Sequence, residues 1–137
     1  ILNNYPYNPG HAMVIPDAHE GDYRAFDDDV LLDHARLKGR TFDAMDAAFD
    51  PDGYNVGLNL GGSAAGGSID DHLHTHVVPR YTGDTTFMPV VSDTKVIVEA
   101  VDETYTHLRD AFAAQPGATV TDDDRAVALT LDGSASE

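Results

Sequence analysis

The sequence predicts an α+β fold built on an antiparallel sheet. Two segments, 22–49 and 94–114, repeat apolar residues at helical spacing. Around them lie short apolar or alternating runs, bounded by Pro and Gly, that read as strands. The resulting order of strand, helix, strand, strand, helix suits that class.

The elements follow in chain order. Residues 1–16 read as extended segments around a turn at Pro9-Gly10, with Ala12-Met13-Val14-Ile15 a short strand stopped by Pro16. In 22–49, Phe26, Val30, Leu31, His34, Leu37, Phe42, Met45 and Phe49 approximate a helical face, and Gly39 is a candidate break. Asp50-Pro51-Asp52-Gly53 is a strong turn signal. Tyr54 to Leu60 reads as a strand, Gly61 to Gly67 as a loop, and 70–78 as a second strand ended by Pro79. Residues 81–92 read as mixed loop and extended chain. The second helix, 94–114, carries Val96, Val98, Ala100, Val101, Tyr105, Leu108 and Phe112, with Asp93 or Thr94 as its cap. Val127 to Leu131 reads as a last short strand or a tail.

The chain has 137 residues, enough for one domain with a real core. Eight basic residues against 24 acidic ones give a net charge of −16, while 42% hydrophobic residues separate the chain from disordered polyelectrolytes. That charge disfavours nucleic acid and anionic membranes as partners. The absence of cysteine excludes disulfides and thiol catalysis within this chain. There is no apolar run of membrane-spanning length and no signal-peptide pattern, so a cytoplasmic home is expected. The Asp runs 27–29, 70–71 and 122–124 read as a solvated surface adapted to high salt, where screening removes self-repulsion. Asp122-Asp123-Asp124 is expected in a solvated tail outside the site. The start at Ile1 suggests that the sheet's first strands lie outside this chain.

Three of the seven histidines alternate in Asp71-His72-Leu73-His74-Thr75-His76-Val77-Val78-Pro79-Arg80. On a strand, positions i, i+2 and i+4 share a face, so the spacing predicts a row of three imidazoles. Such a row admits two chemistries. One is a metal site completed by Asp70 or Asp71. The other is attack by a neutral imidazole on phosphorus. The Gly-rich run 59–68 before it supplies backbone N–H groups of the kind that cradle phosphate oxygens.

These residues resemble a known family. His72-Leu73-His74-Thr75-His76-Val77-Val78 fits the His-φ-His-φ-His-φ-φ signature of the histidine-triad (HIT) nucleotide hydrolases and transferases, with Thr75 departing at an apolar slot. Asn3-Asn4-Tyr5-Pro6-Tyr7-Asn8-Pro9-Gly10-His11 and Met13-Val14-Ile15-Pro16 look like the family's nucleotide-side hairpin. Gly83-Asp84, Phe87-Met88-Pro89-Val90 and Thr94-Lys95-Val96 resemble the branch containing diadenosine tetraphosphate (Ap4A) phosphorylases. Gly67-Ser68 before the triad, where many members carry Gln and Ser or Thr, points to the same branch.

The resemblance implies a HIT-like antiparallel sheet of about five strands with two helices, a catalytic domain over 1–115 and an acidic extension over 116–137. It implies that His74 is the nucleophile, flanked by His72 and His76, which orient it and contact phosphate. Asn59, Gly67 and Ser68 match phosphate-side positions. Asn3 matches a support of the nucleotide pocket, and His11 the histidine of the Pro-Gly-His turn. Tyr81 stands where the branch often has tryptophan, so the aromatic is kept without the indole.

The implied reaction cleaves an Ap4A-like dinucleotide at the α-phosphate through a nucleotidyl-histidine, with water or orthophosphate as acceptor. It requires no metal, although Mg²⁺ can accompany the substrate phosphates. Arg80 and Lys95 are candidates for drawing the phosphates in. A homodimer joined near the second helix and the strand before it is also implied. Two other readings stand beside it: a nucleotide-binding sensor or hydrolase of phosphoramidates and adenylates, and a metal-binding protein using the histidine row.

Overall fold

The computed structural model describes residues 1–65, 69, 71–84 and 101–130. Strand β1 (Ala12–Val14) leads through a 3-10 turn (Tyr23–Ala25) into helix α1 (Asp28–Phe49); β2 (Gly53–Gly57), a second 3-10 turn (Gly62–Ala65) and β3 (Thr75–Arg80) follow, then helix α2 (Val101–Ala113), β4 (Ala118–Val120) and β5 (Val127–Leu129). The α+β class is borne out, and the described residues hold two α-helices. The five strands of the described residues divide between two antiparallel sheets, β1-β3-β2 and β4-β5.

Asp27 stands at the N-cap position of α1 without a side-chain capping bond, and Asp28 and Asp29 in the first turn complement the positive end of the helix dipole. The helix runs unbroken through Gly39, because the apolar face on either side packs inward and holds the backbone. Asp50 then turns left-handed (φ 46°) ahead of Pro51 and stops it. Ala12, Val14, Ala44, Met45, Val77 and Leu108 form the buried core between the sheet and the helices. The first part of the predicted second helix, 94–100, and the mixed segment 85–92 lie outside the described residues.

Two expectations are corrected. The second strand does not span 70–78. It begins at Thr75 and passes through Pro79. The register explains both ends. Val14 pairs with Thr75 and Gly57 with His76, and beyond them neither neighbour continues, so the chain before Thr75 leaves the ladder. Leu73 instead donates its N–H to the carbonyl of Glu20 (2.7 Å). Pro79 is tolerated because β1 pairs only as far as Val77, leaving its β1 side without a strand; there the Asn8 side chain caps the Pro79 carbonyl.

The second correction concerns Asp122-Asp123-Asp124, expected in a tail: residues 118–129 form a hairpin packed on α2, with Val127–Leu129 the short last strand that the sequence offered as one alternative. Asp122-Asp123-Asp124 makes its turn. Arg109 of α2 pairs with the Asp124 carboxylate (3.0 Å), and the Gln115 amide donates to the Arg40 carbonyl (2.7 Å), tying the C-terminal segment to both helices.

Candidate active site

The site is built where β1, β3 and the 3–11 loop meet. His76 is the one triad histidine inside β3; His72 and His74 sit just before it, in chain held by other means. The predicted row of three imidazoles on one strand face is therefore corrected to a pair. The rings of His74 and His76 meet edge to face at 5.0 Å, while His72 turns away and donates Nε2–H to the Pro16 carbonyl (2.7 Å). Its ring stands edge-on to His19 at 5.0 Å, and His19 pairs with Asp71 (3.2 Å). In the neutral ring this contact uses the one N–H that His72 has.

The protonation pattern follows from donors that have no choice. His74 Nδ1 lies 2.9 Å from the carbonyl of His72, an acceptor only, so Nδ1 carries the proton and Nε2 keeps its lone pair. The backbone N–H of Tyr7 can only donate, and it meets His11 Nδ1 at 3.1 Å. A neutral His11 therefore bears its hydrogen on Nε2 and donates it to His76 Nδ1 (3.0 Å). The hydrogen of His76 is then on Nε2, the nitrogen left for a ligand. The Asn3 amide is 3.5 Å from His11 Nε2, too far to compete.

Burial, then the neighbouring His76, pushes His11 down to about 4. Burial, then His74, lowers His76 as well. Both rings are neutral at pH 7, as the relay from Tyr7 to His11 to His76 requires.

A pocket of about 450 Å³ opens beside His76, lined among others by Tyr7, Asn8, Asn55, Asn59 and Arg80, a size suited to a small ligand. Asn59 is thus brought to the triad's side. Asn3 lies behind it: its side-chain oxygen accepts from Tyr5 N–H (2.8 Å), so it shapes the loop that carries His11. His11 itself is buried, and its Nε2 meets His76 Nδ1. Tyr81 does not line this pocket, and its hydroxyl reaches back to the Pro9 carbonyl (3.5 Å). Gly67, Ser68, Asp70 and Lys95 lie outside the described residues. Arg80 is not a free cation, since Asp84 grips it through Nε (2.8 Å) and Nη2 (2.6 Å).

Three residues without an assigned role in the sequence reading belong to this assembly. Tyr7, 70% exposed, stacks on His11 with ring centroids 4.8 Å apart. Asn8 bonds both Pro79 and Asp84. His34, from the apolar face of α1, meets the buried hydroxyl of Thr75 at 2.8 Å. An exposed aromatic and an Asn beside Pro-Gly-His were available as signals for the first two. The third required knowing that α1 packs behind β3.

The chain belongs to the HIT family: the HIT domain model matches residues 1–83. It is 43% identical over 119 residues to the AP-4-A phosphorylase of Mycobacterium tuberculosis, a stretch covering 85% of this chain and 59% of that protein's length. Two solved structures are similar in fold. A hypothetical histidine triad nucleotide-binding protein from Sulfolobus tokodaii superposes with a TM-score of 0.63 at 27% identity, covering 82% of this chain and 75% of that one. A zinc-bound histidine triad family protein from Mycobacterium smegmatis gives 0.64 at 29% identity, covering 82% and 76%. The zinc belongs to that protein. Among the described residues here no group of three or more His, Cys, Asp or Glu is placed to hold a metal ion.

Proposed function

We propose that the protein is a nucleotidyl hydrolase or transferase that cleaves an Ap4A-like dinucleoside polyphosphate at the α-phosphate through a covalent nucleotidyl-His74. The observation that carries this reading is the 2.9 Å hydrogen bond from His74 Nδ1 to the His72 carbonyl, which makes Nε2 the lone-pair nitrogen whenever the ring is neutral. The 43% identity to a protein named AP-4-A phosphorylase supports the substrate class.

In the first step the Nε2 lone pair forms a bond to the α-phosphorus, and the bond from phosphorus to the bridging oxygen breaks. That oxygen leaves with the electron pair on the departing nucleotide. In the second, water or orthophosphate forms the new P–O bond while the P–N bond breaks and its electrons return to Nε2. His76 donates Nε2–H to a phosphate oxygen as charge develops, a contribution of about 3–4 kcal/mol for a well-placed donor. No metal takes part in this scheme, and Mg²⁺ enters only with the substrate phosphates. In this reading the protein works as a cytoplasmic homodimer in high salt, and turnover is expected to persist at molar KCl.

The test is incubation with Ap4A, with and without orthophosphate. ADP plus ATP means phosphorolysis, and AMP plus ATP means asymmetric hydrolysis. No product from any dinucleotide overturns the substrate assignment. His74→Asn is expected to lose on the order of 10⁴-fold in kcat and all covalent label. Native turnover in that variant overturns the nucleophile.

A further inference from the structure

The carboxylate of Asp84 sits at the centre of a clamp far in sequence from the loop it holds. Its Oδ2 accepts from Asn8 Nδ2 (2.7 Å), from Arg80 Nε (2.8 Å) and from the Tyr81 backbone N–H (3.1 Å). Its Oδ1 accepts from Arg80 Nη2 (2.6 Å). Arg80 is braced in turn by the Asn55 side-chain oxygen on β2, and the second Asn8 amide hydrogen holds the Pro79 carbonyl of β3 (2.9 Å). The hydrogen bond from Arg80 holds the Asp84 carboxyl well below the usual range, so it stays anionic through the neutral and mildly acidic range. Asn8 directly follows Tyr7, whose N–H fixes the His11 ring, and its own carbonyl accepts from the His11 N–H (3.1 Å).

We propose that Asp84 is a positioning residue that, through Asn8, locks the Tyr7–His11 loop onto β3 and thereby sets which nitrogen of His76 carries the proton. The clamp makes the relay directional. With Asn8 held, Tyr7 N–H stays on His11 Nδ1, His11 donates to His76 Nδ1, and His76 keeps its hydrogen on Nε2 for the ligand. With Asn8 released, His11 Nδ1 loses its donor and can take the proton itself. His11 Nε2 then becomes an acceptor facing His76 Nδ1, and the His76 hydrogen is drawn away from the pocket. Asp84 touches neither ring of the pair, and although it lines the pocket both of its oxygens are spent on Asn8, Arg80 and Tyr81, so its effect on the pair runs through the ring tautomers.

The kinetic consequence rests on the nucleotidyl-transfer reading, but the tautomer consequence does not, and the experiment uses both. Ring ¹⁵N shifts of His11 and His76 are recorded in the wild-type protein, Asp84→Asn and Asn8→Ala, with backbone amide spectra to confirm the fold. The wild type is expected to show Nε2–H for both rings. Either folded variant is expected to show a mixture of tautomers at His11, with kcat for Ap4A down about 10-fold, KM changed less than about 3-fold, and Asp84→Glu recovering part of kcat. Unchanged His11 and His76 tautomers in a folded variant overturn the clamp whatever the kinetics. Should Asp84→Asn not fold, Asn8→Ala, which leaves the Arg80–Asp84 pair intact, decides the question alone. Shifted tautomers in a protein inactive toward every dinucleotide support the clamp while refuting the proposed reaction.

Discussion

His11 Nε2 lies 3.0 Å from His76 Nδ1, and the Tyr7 backbone N–H closes on the opposite nitrogen of the same ring at 3.1 Å. A buried imidazole thus joins a backbone donor to a triad side chain. His11→Ala would leave two partly buried polar groups, Tyr7 N–H and His76 Nδ1, without these partners, and a cavity under the Tyr7 ring. An orphaned buried donor or acceptor costs about 1–3 kcal/mol. The variant is expected to lose about 1–3 kcal/mol in urea unfolding and about 10- to 100-fold in kcat, measured by Ap4A turnover. A folded His11→Ala with native kcat would remove His11 from the relay.

The Thr75–His34 pair explains a departure from pattern. Thr75 is 1% exposed and occupies a slot where the signature favours an apolar side chain; its hydroxyl meets His34 at 2.8 Å. Among the described residues the other nitrogen of His34 has no partner. Thr75→Val would leave both ring nitrogens buried and unpaired, and is expected to destabilise by about 1–3 kcal/mol. Adding His34→Leu should recover most of that loss, because an apolar pair of similar volume leaves no orphan. Urea midpoints of the two single variants and the double variant close the cycle. A Thr75→Val protein as stable as the wild type would show that the hydrogen bond contributes nothing.

Local signals carried much of this fold. Helical spacing places the end of α1 at Phe49 as observed and its start six residues early, and Pro9-Gly10 and Asp50-Pro51 mark turns that the backbone makes. Alternation in the triad segment was misleading for a definable reason. Period 2 reports an extended chain, but ladder pairing depends on how far the neighbouring strands run, and β1 and β2 stop at the level of Thr75 and His76. His72 therefore turns to Pro16, a contact across 56 positions that no local pattern encodes. The Asn8–Asp84 bond spans 76 positions and was hidden for the same reason. The acidic run 122–124 was read from charge alone, and charge does not distinguish a tail from a hairpin turn.

Gly10 is a position where only glycine fits. Its φ is +84°, and a Cβ there would lie 3.0 Å from two carbons of the Phe49 ring and 3.2 Å from Pro79. Gly10→Ala combines left-handed backbone strain with a clash against two half-fixed rings. It is expected to destabilise by about 2 kcal/mol or more and, because His11 is the next residue, to lower kcat beyond the loss of folded protein. Circular dichroism melts and the activity of the folded fraction separate the two effects. An unchanged melting temperature would mean that Phe49 moves aside freely.

Acid sensitivity should begin at the histidines rather than the carboxylates. His11 is held down to about 4, and burial lowers His34 and His76 too, whereas in the unfolded chain each titrates near 6.5. As pH falls below about 6.5 the unfolded chain binds these protons first, so unfolding is favoured by up to about 1.4 kcal/mol per pH unit for each proton taken up. Their stability contribution is complete above about pH 7 and is lost between roughly pH 6.5 and each folded value. Asp84, whose folded value is depressed far below the ordinary carboxylate range by Arg80, contributes stability that is lost only at much lower pH. Urea midpoints from pH 8 to pH 5 should therefore be flat above pH 7 and decline below it. His34→Leu should decline less steeply, since one of the three protons is gone. A midpoint constant from pH 7 to pH 5 would show that these rings charge as readily in the folded protein as in the unfolded chain.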